Sequence, residues 1–234
     1  TSKLADFKRS WPGIWAPDYG DGSDGSPASS GFTVSKQTYQ WVDYTLNNGH
    51  TITLSSSFKP SIFRCPGTLT INGAINGNGK GHAGADGRGW PGYGPGRGLS
   101  GSFHGYAGNS TGGGGGGGAA AGTNGVGAWD KWSWGGVVYG GLDGLRTHSW
   151  GAWWAGSGGG GGGWDADGNG GAGGAGGGGL VLTARSVILG STCSISLNGA
   201  NGANGTTVDG TQSAGGGGGG SGGLLVIIAD AIIL

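Results

Sequence analysis

Glycine constrains this chain more than any other residue, because it occupies 66 of the 234 positions and recurs in two patterns. One pattern is the pure run, found at residues 112–118, 158–163 and 215–220. The other is a period of three, which is clearest in NGANGANG at residues 198–205. Each glycine costs a helix about 1 kcal/mol relative to alanine, so the sequence predicts almost no α-helix.

Low charge combined with high glycine content is typical of disordered segments, and that interpretation has to be weighed first. The chain also contains 11 Trp, 6 Tyr and 5 Phe, together with several runs of Val, Ile and Leu. These residues provide a large apolar surface to bury. We therefore expect a folded chain.

Three segments have the alternating apolar pattern of β-strands. Residues 50–75 alternate, with breaks expected at Pro60 and Pro66. Residues 178–199 predict a strand pair, and residues 222–234 are apolar almost throughout. The last segment predicts a strand that is buried on both faces.

The strand segments also repeat. Placing Ala184 on Ala229 displaces one copy from the next by 45 residues, and a Gly-Gly pair opens each copy. A second alignment sets residues 68–79 beside residues 194–205. Units that recur in this way are normally stacked, each burying its face against the next.

The glycine tracts between these units favour a second kind of element. Polyproline II geometry has three residues per turn, and the residue that faces a crowded neighbouring helix must be glycine. Period-three glycine occurs at 81/84/87, 168/171/174/177 and 199/202/205. The alternative is a set of flexible linkers, but long structureless loops are uncommon in compact domains. We predict an all-β or irregular fold in which stacked short β-strands combine with a sandwich-like bundle of polyglycine II helices.

The domain organisation follows from these patterns. Residues 1–40 are predicted to be an N-terminal segment for attachment or oligomer contact, and residues 41–234 a glycine-rich domain. Two aromatic insertions, 88–106 and 123–156, interrupt the glycine tracts and are predicted to form loops at an end of the bundle, where recognition usually resides.

Aromatic residues are the strongest candidates for a binding function, since Trp and Tyr offer large rigid faces with a polar tip. The alternative is that they fill the core, and we expect about half of the tryptophans to lie inside. The predicted receptor-binding residues are Trp90, Tyr93, Tyr106, Trp129, Trp132, Trp134, Tyr139, Trp150, Trp153 and Trp154.

Catalysis is not favoured by the sequence. A glycan hydrolase usually needs two positioned carboxylates, and nothing in the spacing of Asp130 and Asp143 selects them. Residues 79–84 fit G-x-G-x-x-G, but no helix is expected to follow. We therefore predict a protein without enzymatic activity and without a cofactor.

Metal binding has one weak candidate. Asp165, Asp167 and Asn169 match the first half of a calcium loop, but the closing position is Gly176 instead of Glu. A turn rich in Asp, Asn and Gly is favoured instead, and no metal is predicted. Cys65 and Cys193 are compatible with a disulfide or with two buried thiols.

Charge and hydropathy exclude two classes of partner. The formal net charge is zero and the 12 basic residues are dispersed, so nucleic acid is not expected to bind. No apolar run approaches the roughly 20 residues that span a bilayer, so membrane insertion is not expected.

Four stretches together carry a family resemblance, namely YGDGSDGS at 19–26, GTLTINGAINGNGKGHAG at 67–84, GGLVLTARSVILGS at 178–191 and GGLLVIIADAIIL at 222–234. With the polyglycine tracts, they resemble the glycine-rich tail-fibre and receptor-binding proteins of tailed bacteriophages. The chain is also similar in style to the adhesins at the tail-fibre tips of T-even phages. The resemblance covers residues 19–118 and 156–234.

This resemblance implies an extracellular virion protein of the tail fibre or tail tip. Its partner would be a host surface glycan or outer-membrane protein, bound by residues 123–156 and 88–106 as variable segments. A homotrimer or attachment to a fibre is expected, since the apolar strand at 224–234 needs a cover. The alternatives are a self-assembling filament or coat subunit and, more weakly, an ice-binding protein.

Overall fold

The computed structural model describes residues 18–56, 59–87, 90–94, 97–101, 155–163, 170–206 and 214–234, together with the backbone of 125–126 and 132–133. These residues contain strands and extended segments but no α-helix. The strands are β1 (Thr38–Gln40), β2 (Tyr44–Leu46), β3 (Thr51–Thr53), β4 (Ser61–Ile71), β5 (Ala74–Asn76), β6 (Gly125–Val126), β7 (Trp132–Ser133), β8 (Leu180–Leu189), β9 (Ser194–Ser196) and β10 (Leu225–Ile233).

The strands stack in parallel layers. The larger sheet has the order β1-β4-β8-β10, and β2 pairs with β4 beyond β1 along the same edge. A smaller sheet has the order β3-β5-β9, and β6 pairs with β7 antiparallel. Over the described residues this confirms the predicted all-β class with almost no α-helix.

The 45-residue repeat is realised as direct pairing between β8 and β10. Ala184 lies opposite Ala229, and Val187 lies opposite Ile232. Ala184 and Val187 have no exposed surface, because their side chains face the core between the two sheets. The sequence repeat therefore predicts the register of these two strands correctly.

The second predicted alignment is wrong in register. It places Ser194 on Thr68, whereas Ser194 pairs with Ala74 in the smaller sheet. The chain turns at Gly73 and again after β8, so it is the strand after the turn that meets β9. The stacked corners are Asn78 and Asn198, where the Asn78 Oδ1 accepts the Asn198 backbone N–H at 2.8 Å.

A break was predicted at Pro66, but this residue lies inside β4. The pairing of β4 with β8 shifts register between Cys65 and Thr68, and such an irregularity accommodates a proline that cannot donate a ladder hydrogen bond. The backbone N–H of Thr68 instead donates to the Asp43 side chain at 2.6 Å. The strand thus continues through the proline.

One edge of the larger sheet is covered by the chain that precedes β1. The backbone N–H of Asp24 donates to the Gln40 carbonyl at 2.8 Å, and the Val42 N–H donates to the Gly25 carbonyl at 3.1 Å. Further along, the Asn47 N–H donates to Ser29. We call residues 24–29 the cap, since they occupy the edge formed by β1 and β2.

A cluster of aromatic rings fills the core beneath this edge. Trp41 is only 2% exposed, and its ring centroid lies 4.3 Å from that of Tyr44 and 5.0 Å from that of Phe63. Phe32, from the segment before β1, contacts Trp41 edge-on with centroids 6.0 Å apart. The cluster therefore joins the N-terminal segment to the sheet.

Both cysteines are free thiols. Cys65 is buried, and its Sγ donates to the backbone carbonyls of Val42 and Thr68 at 3.1 and 3.3 Å. Burial raises the pKa of the Cys65 thiol and also that of Cys193. Of the two arrangements left open by the sequence, the structure contains unpaired thiols.

The glycine tracts lie side by side as extended segments that are neither strand nor helix. We call them collectively the glycine bundle, and residues 155–163 the central segment. The central segment is buried along its whole length. The bundle comprises residues 80–87, 90–94, 97–101, 155–163, 170–179, 198–206 and 214–223.

Hydrogen bonds between these segments recur at every third residue. Along the central segment, Gly156, Gly159 and Gly162 donate to the carbonyls of Gly177, Gly174 and Gly171 at 2.7 to 2.9 Å. Residues 214–223 run antiparallel to it and also donate at every third position. Period-three lateral bonding is what packed polyglycine II helices require. The polyglycine II conformation itself stays a prediction, which this bonding supports.

Glycine is sterically required inside the bundle. A Cβ added to Gly159 would lie 2.0 Å from the Gly218 carbonyl oxygen, and one added to Gly202 would lie 2.1 Å from that of Gly217. In each case the obstructing atom belongs to a neighbouring backbone. The period-three glycines in NGANGANG thus face an adjacent segment, and this stretch is part of the folded bundle.

Candidate functional site

Two of the predicted binding residues, Trp90 and Tyr93, are held by their backbone against the central segment. The N–H of Gly161 donates to the Trp90 carbonyl, and the N–H of Gly158 donates to the Tyr93 carbonyl, both at 2.9 Å. Residues 90–94 and 97–101 therefore run along the bundle, and the prediction of an end loop is wrong for them.

Glycines at close-contact positions explain why this insertion packs along the bundle. A Cβ on Gly92 would lie 2.2 Å from the Gly158 carbonyl oxygen, so only glycine fits at position 92, where the backbone meets the central segment. Gly94 adopts a φ of 96°, in the left-handed region that favours glycine, and turns the chain beside the His82 ring. Gly98 is also buried and donates to the Gly158 carbonyl at 3.1 Å.

The side chains of these segments point away from the bundle. Trp90 and Tyr93 are each 63% exposed, and Leu99 on the neighbouring segment is 42% exposed. We call Trp90, Tyr93 and Leu99 the aromatic surface. By contrast, Trp41 is buried in the core, so the described tryptophans include one inside and one outside.

The spacing within the aromatic surface follows from the backbone. Three residues of extended chain span about 9–10 Å, which is the separation expected between the Cα atoms of Trp90 and Tyr93. Their carbonyls are fixed to one buried segment, so this spacing does not depend on a loop conformation. Exposed, rigidly mounted aromatic faces bind flat apolar groups such as the faces of sugar rings or exposed apolar side chains.

The other predicted site residues lie outside the described side chains. Only the backbone of Trp132 is described; it lies in β7 and pairs with Val126 of β6. The remaining receptor-binding residues and the candidate metal ligands lie outside the described residues; they are Tyr106, Trp129, Trp134, Tyr139, Trp150, Trp153, Trp154, Asp165, Asp167 and Asn169. Their predicted roles stay predictions.

Acidic side chains in the described part of the chain take structural roles. Asp18 pairs with Arg64 of β4 at 2.6 Å, and Asp24 in the cap pairs with Lys36. The hydrogen bond from Lys36, followed by that from the Gln40 N–H, lowers the pKa of Asp24. Hydrogen bonds from Ser23 lower the pKa of Asp21 in the same way.

The described residues contain neither a metal-binding cluster nor a helix that could cross a membrane. No group of three or more His, Cys, Asp or Glu side chains comes together there in an arrangement that would hold a metal ion. Nor does that part of the chain contain a helix with the length and hydropathy needed to cross a membrane.

Comparison with known proteins gives no family assignment. No protein-family model, no curated protein and no solved structure matches the chain.

One member of the aromatic surface was absent from the predicted site. Leu99 lies in the insertion 88–106, but a single aliphatic residue between glycines and serines carries no binding signal in sequence. Leu99 lies between the buried residues Gly98 and Gly101, which are three positions apart. A period-three pattern of buried glycines could have indicated this position.

Proposed function

We propose that this chain is a non-catalytic receptor-binding protein of a bacteriophage virion, located in the tail fibre or at the tail tip. The proposal is that aromatic side chains on a rigid glycine bundle recognise a host surface glycan or an outer-membrane protein. The observation that carries it is the aromatic surface, where Trp90 and Tyr93 are each 63% exposed while their carbonyls accept hydrogen bonds from the buried central segment.

Polyglycine II conformation of the bundle is part of the proposal. Supporting it are the lateral hydrogen bonds at every third residue and the carbonyl oxygens that approach within about 2 Å of an added Cβ at Gly159 and Gly202. The glycine positions at which the segments of the bundle meet have no side chains that could form a pocket. Recognition would then depend on side chains displayed along its surface and on the insertion at 123–156.

Exposed aromatic residues also explain why the proposed activity is binding. Tryptophan and tyrosine lose little conformational entropy when they are immobilised, so a pre-positioned pair contributes strongly to affinity. Asp18 and Asp24, the acidic groups that form ion pairs in the described structure, hold the N-terminal segment in place. We assign them a structural role.

The second candidate is a self-assembling extracellular filament or coat subunit. The observation that favours it is the last strand, where Ile232 and Ile233 are each 51% exposed and Leu234 is 93% exposed. Contacts between subunits would bury these side chains. In this alternative the aromatic surface would also lie between subunits and would be inaccessible to a receptor.

Replacing the exposed aromatic rings tests the receptor-binding proposal. We expect Trp90→Ala combined with Tyr93→Ala to weaken binding of the purified protein to intact cells of its bacterial host by about 30-fold or more, since truncating a hot spot costs about 2 kcal/mol or more. Binding is measured by titrating labelled protein onto a panel of bacterial strains and onto vesicles made from their outer membranes.

The matched control is Val42→Ala, which shortens an exposed apolar side chain on the cap side of the sheet. This variant should bind cells as the unmodified protein does. A second test exchanges residues 123–156 for a glycine–serine linker of the same length. Unchanged cell binding after both the aromatic substitutions and this exchange would contradict the receptor-binding proposal.

A further inference from the structure

The two edges of the larger sheet differ in how they are covered. At the β1 and β2 edge, the cap supplies backbone hydrogen bonds to Gln40, Val42 and Asn47. At the other edge, β10 pairs with β8 and with no other described strand. Stacked repeat architectures need a covering element at each end. Within the described chain, the edge formed by β10 has no such element.

Apolar side chains are concentrated at this uncapped edge. Leu225 is 37% exposed, Ile232 and Ile233 are each 51% exposed, and Leu234 is 93% exposed. On β8, which β10 covers, the paired residues Leu180 and Val187 have no exposed surface. A further layer packed on β10 would bury its side chains as β10 buries those of β8.

The glycine segment leading into β10 carries an independent sign of a close-packed neighbour. Gly216, Gly219 and Gly222 are exposed, and the nearest atom to an added Cβ at each is a carbonyl oxygen 3.6 to 3.7 Å away. Side chains would therefore fit there, unlike at the buried glycines of the bundle. Within the described residues, the N–H groups of these three glycines donate to no acceptor.

Within the described residues, the packing of the chain against itself thus does not require glycine at these positions. On the neighbouring segment, the exposed period-three positions carry side chains, at Asn198, Asn201 and Asn204. Because glycine has no side chain, the exposed surface of the segment that leads into β10 is smooth at these three positions. A backbone that packs against this surface would supply the steric reason for glycine that the described residues do not supply.

The chemistry of this surface restricts its partner. We call residues 214–234 the end layer. Asp230 is its only charged side chain, and it accepts a hydrogen bond from the Tyr19 hydroxyl at 2.6 Å. The end layer offers no set of charges to pair with a charged peptide, nucleic acid or anionic membrane. It does match a neutral layer of glycine backbone and aliphatic strand. The chain itself packs such a layer, residues 170–189, against the inner side of the end layer.

We propose that the end layer is a self-association surface, on which the end layer of a second copy of this chain packs in an isologous contact. Head-to-tail stacking would need the opposite edge of the sheet, which the cap already occupies. A contact through the same surface on both copies closes after two subunits. This proposal puts a dimer in place of the homotrimer that the resemblance implies, and it does not depend on receptor binding.

The mass of the 234-residue chain in solution tests this proposal. We expect sedimentation equilibrium to give a dimer, twice the chain mass of 22.6 kDa, in reversible equilibrium with the monomer. Ile232→Asp places a charge on the end layer and should raise the dimer dissociation constant at least tenfold. Leu99→Asp is the matched control, because it changes an exposed aliphatic residue on the aromatic surface, and it should leave the dissociation constant unchanged.

A second variant tests the exposed glycines separately. Gly219→Leu puts a side chain where space is available in the single chain, so the far-ultraviolet circular dichroism and the melting temperature at dilute concentration should be preserved. Its dimer should nevertheless dissociate at least tenfold more readily. A monomer at all concentrations, a trimer or open-ended assembly, or a dimer unaffected by both Ile232→Asp and Gly219→Leu would overturn the proposal. None of these results would alter the expected cell binding of the Trp90 and Tyr93 variants.

Discussion

Gly159→Val is expected to prevent the glycine bundle from forming. Gly159 lies in the buried central segment, and an added Cβ would meet the Gly218 carbonyl oxygen at 2.0 Å and its carbon at 2.5 Å. Neither atom belongs to a side chain that can rotate away. Overpacking a core usually costs about 1–3 kcal/mol, and we expect a loss at or above the upper end of that range because two backbones must separate.

Urea unfolding followed by tryptophan fluorescence and circular dichroism measures this loss. The matched control is Gly216→Val, which introduces the same side chain at an exposed glycine whose nearest neighbour to an added Cβ is 3.7 Å away. Measured on dilute protein, the control should change the free energy of unfolding by about 0.5 kcal/mol or less. Equal tolerance of valine at both positions would show that residues 155–163 do not pack as described.

Trp41→Ala is expected to cost about 3–5 kcal/mol of folding free energy, the usual range for removing a buried aromatic side chain. Trp41 is 2% exposed and contacts four other aromatic rings, including Phe32 of the segment before β1. The cavity would weaken both the core and the attachment of the N-terminal segment. Urea unfolding measures the cost, and limited proteolysis should detect earlier cleavage within residues 18–34.

Trp90→Ala provides the comparison for Trp41→Ala, since Trp90 is 63% exposed. Its removal should change the free energy of unfolding by about 0.5 kcal/mol or less. A large destabilisation from Trp90→Ala would mean that this ring is a core residue and would remove it from the proposed binding surface. The two variants together therefore separate a tryptophan that folds the protein from one that is available for recognition.

The register of the later strands was predictable because the repeat carries it. Aligning Ala184 with Ala229 in sequence also aligns them in space, since two similar strands bury the same side chains against one core. The alignment of residues 68–79 with 194–205 failed for a physical reason. Both contain an Asn-Gly pair after an apolar strand, but the chain makes its turn at Gly73 before the strand that meets β9.

Other features depend on contacts that a local pattern does not contain. β1 and β2 are three residues each, too short for alternation to distinguish them from a loop. Pro66 indicated a break, yet the register shift beside Cys65 and the Asp43 side chain accommodate it within β4. Burial on both faces was predicted for the last strand, but β10 lies at a sheet edge with exposed apolar side chains.

The candidate site was predictable in residue type more than in placement. The abundance of aromatic residues indicated a binding role for Trp90 and Tyr93, but it did not show that they lie along the central segment. That placement depends on Gly92, whose lack of a side chain allows the backbone to approach Gly158. In a bundle of this kind, the positions of the glycines determine where the aromatic side chains lie.

Amide hydrogen exchange along the glycine tracts tests most directly the claim that they form a rigid scaffold. Gly156, Gly159 and Gly162 donate hydrogen bonds from the buried central segment, so their amides should be protected to a degree comparable with those of β8. The measurement is hydrogen–deuterium exchange resolved to peptides covering residues 155–163 and 180–189. Exchange at the rate of unstructured glycine in residues 155–163, with β8 still protected, would contradict the account and show that the tracts are linkers.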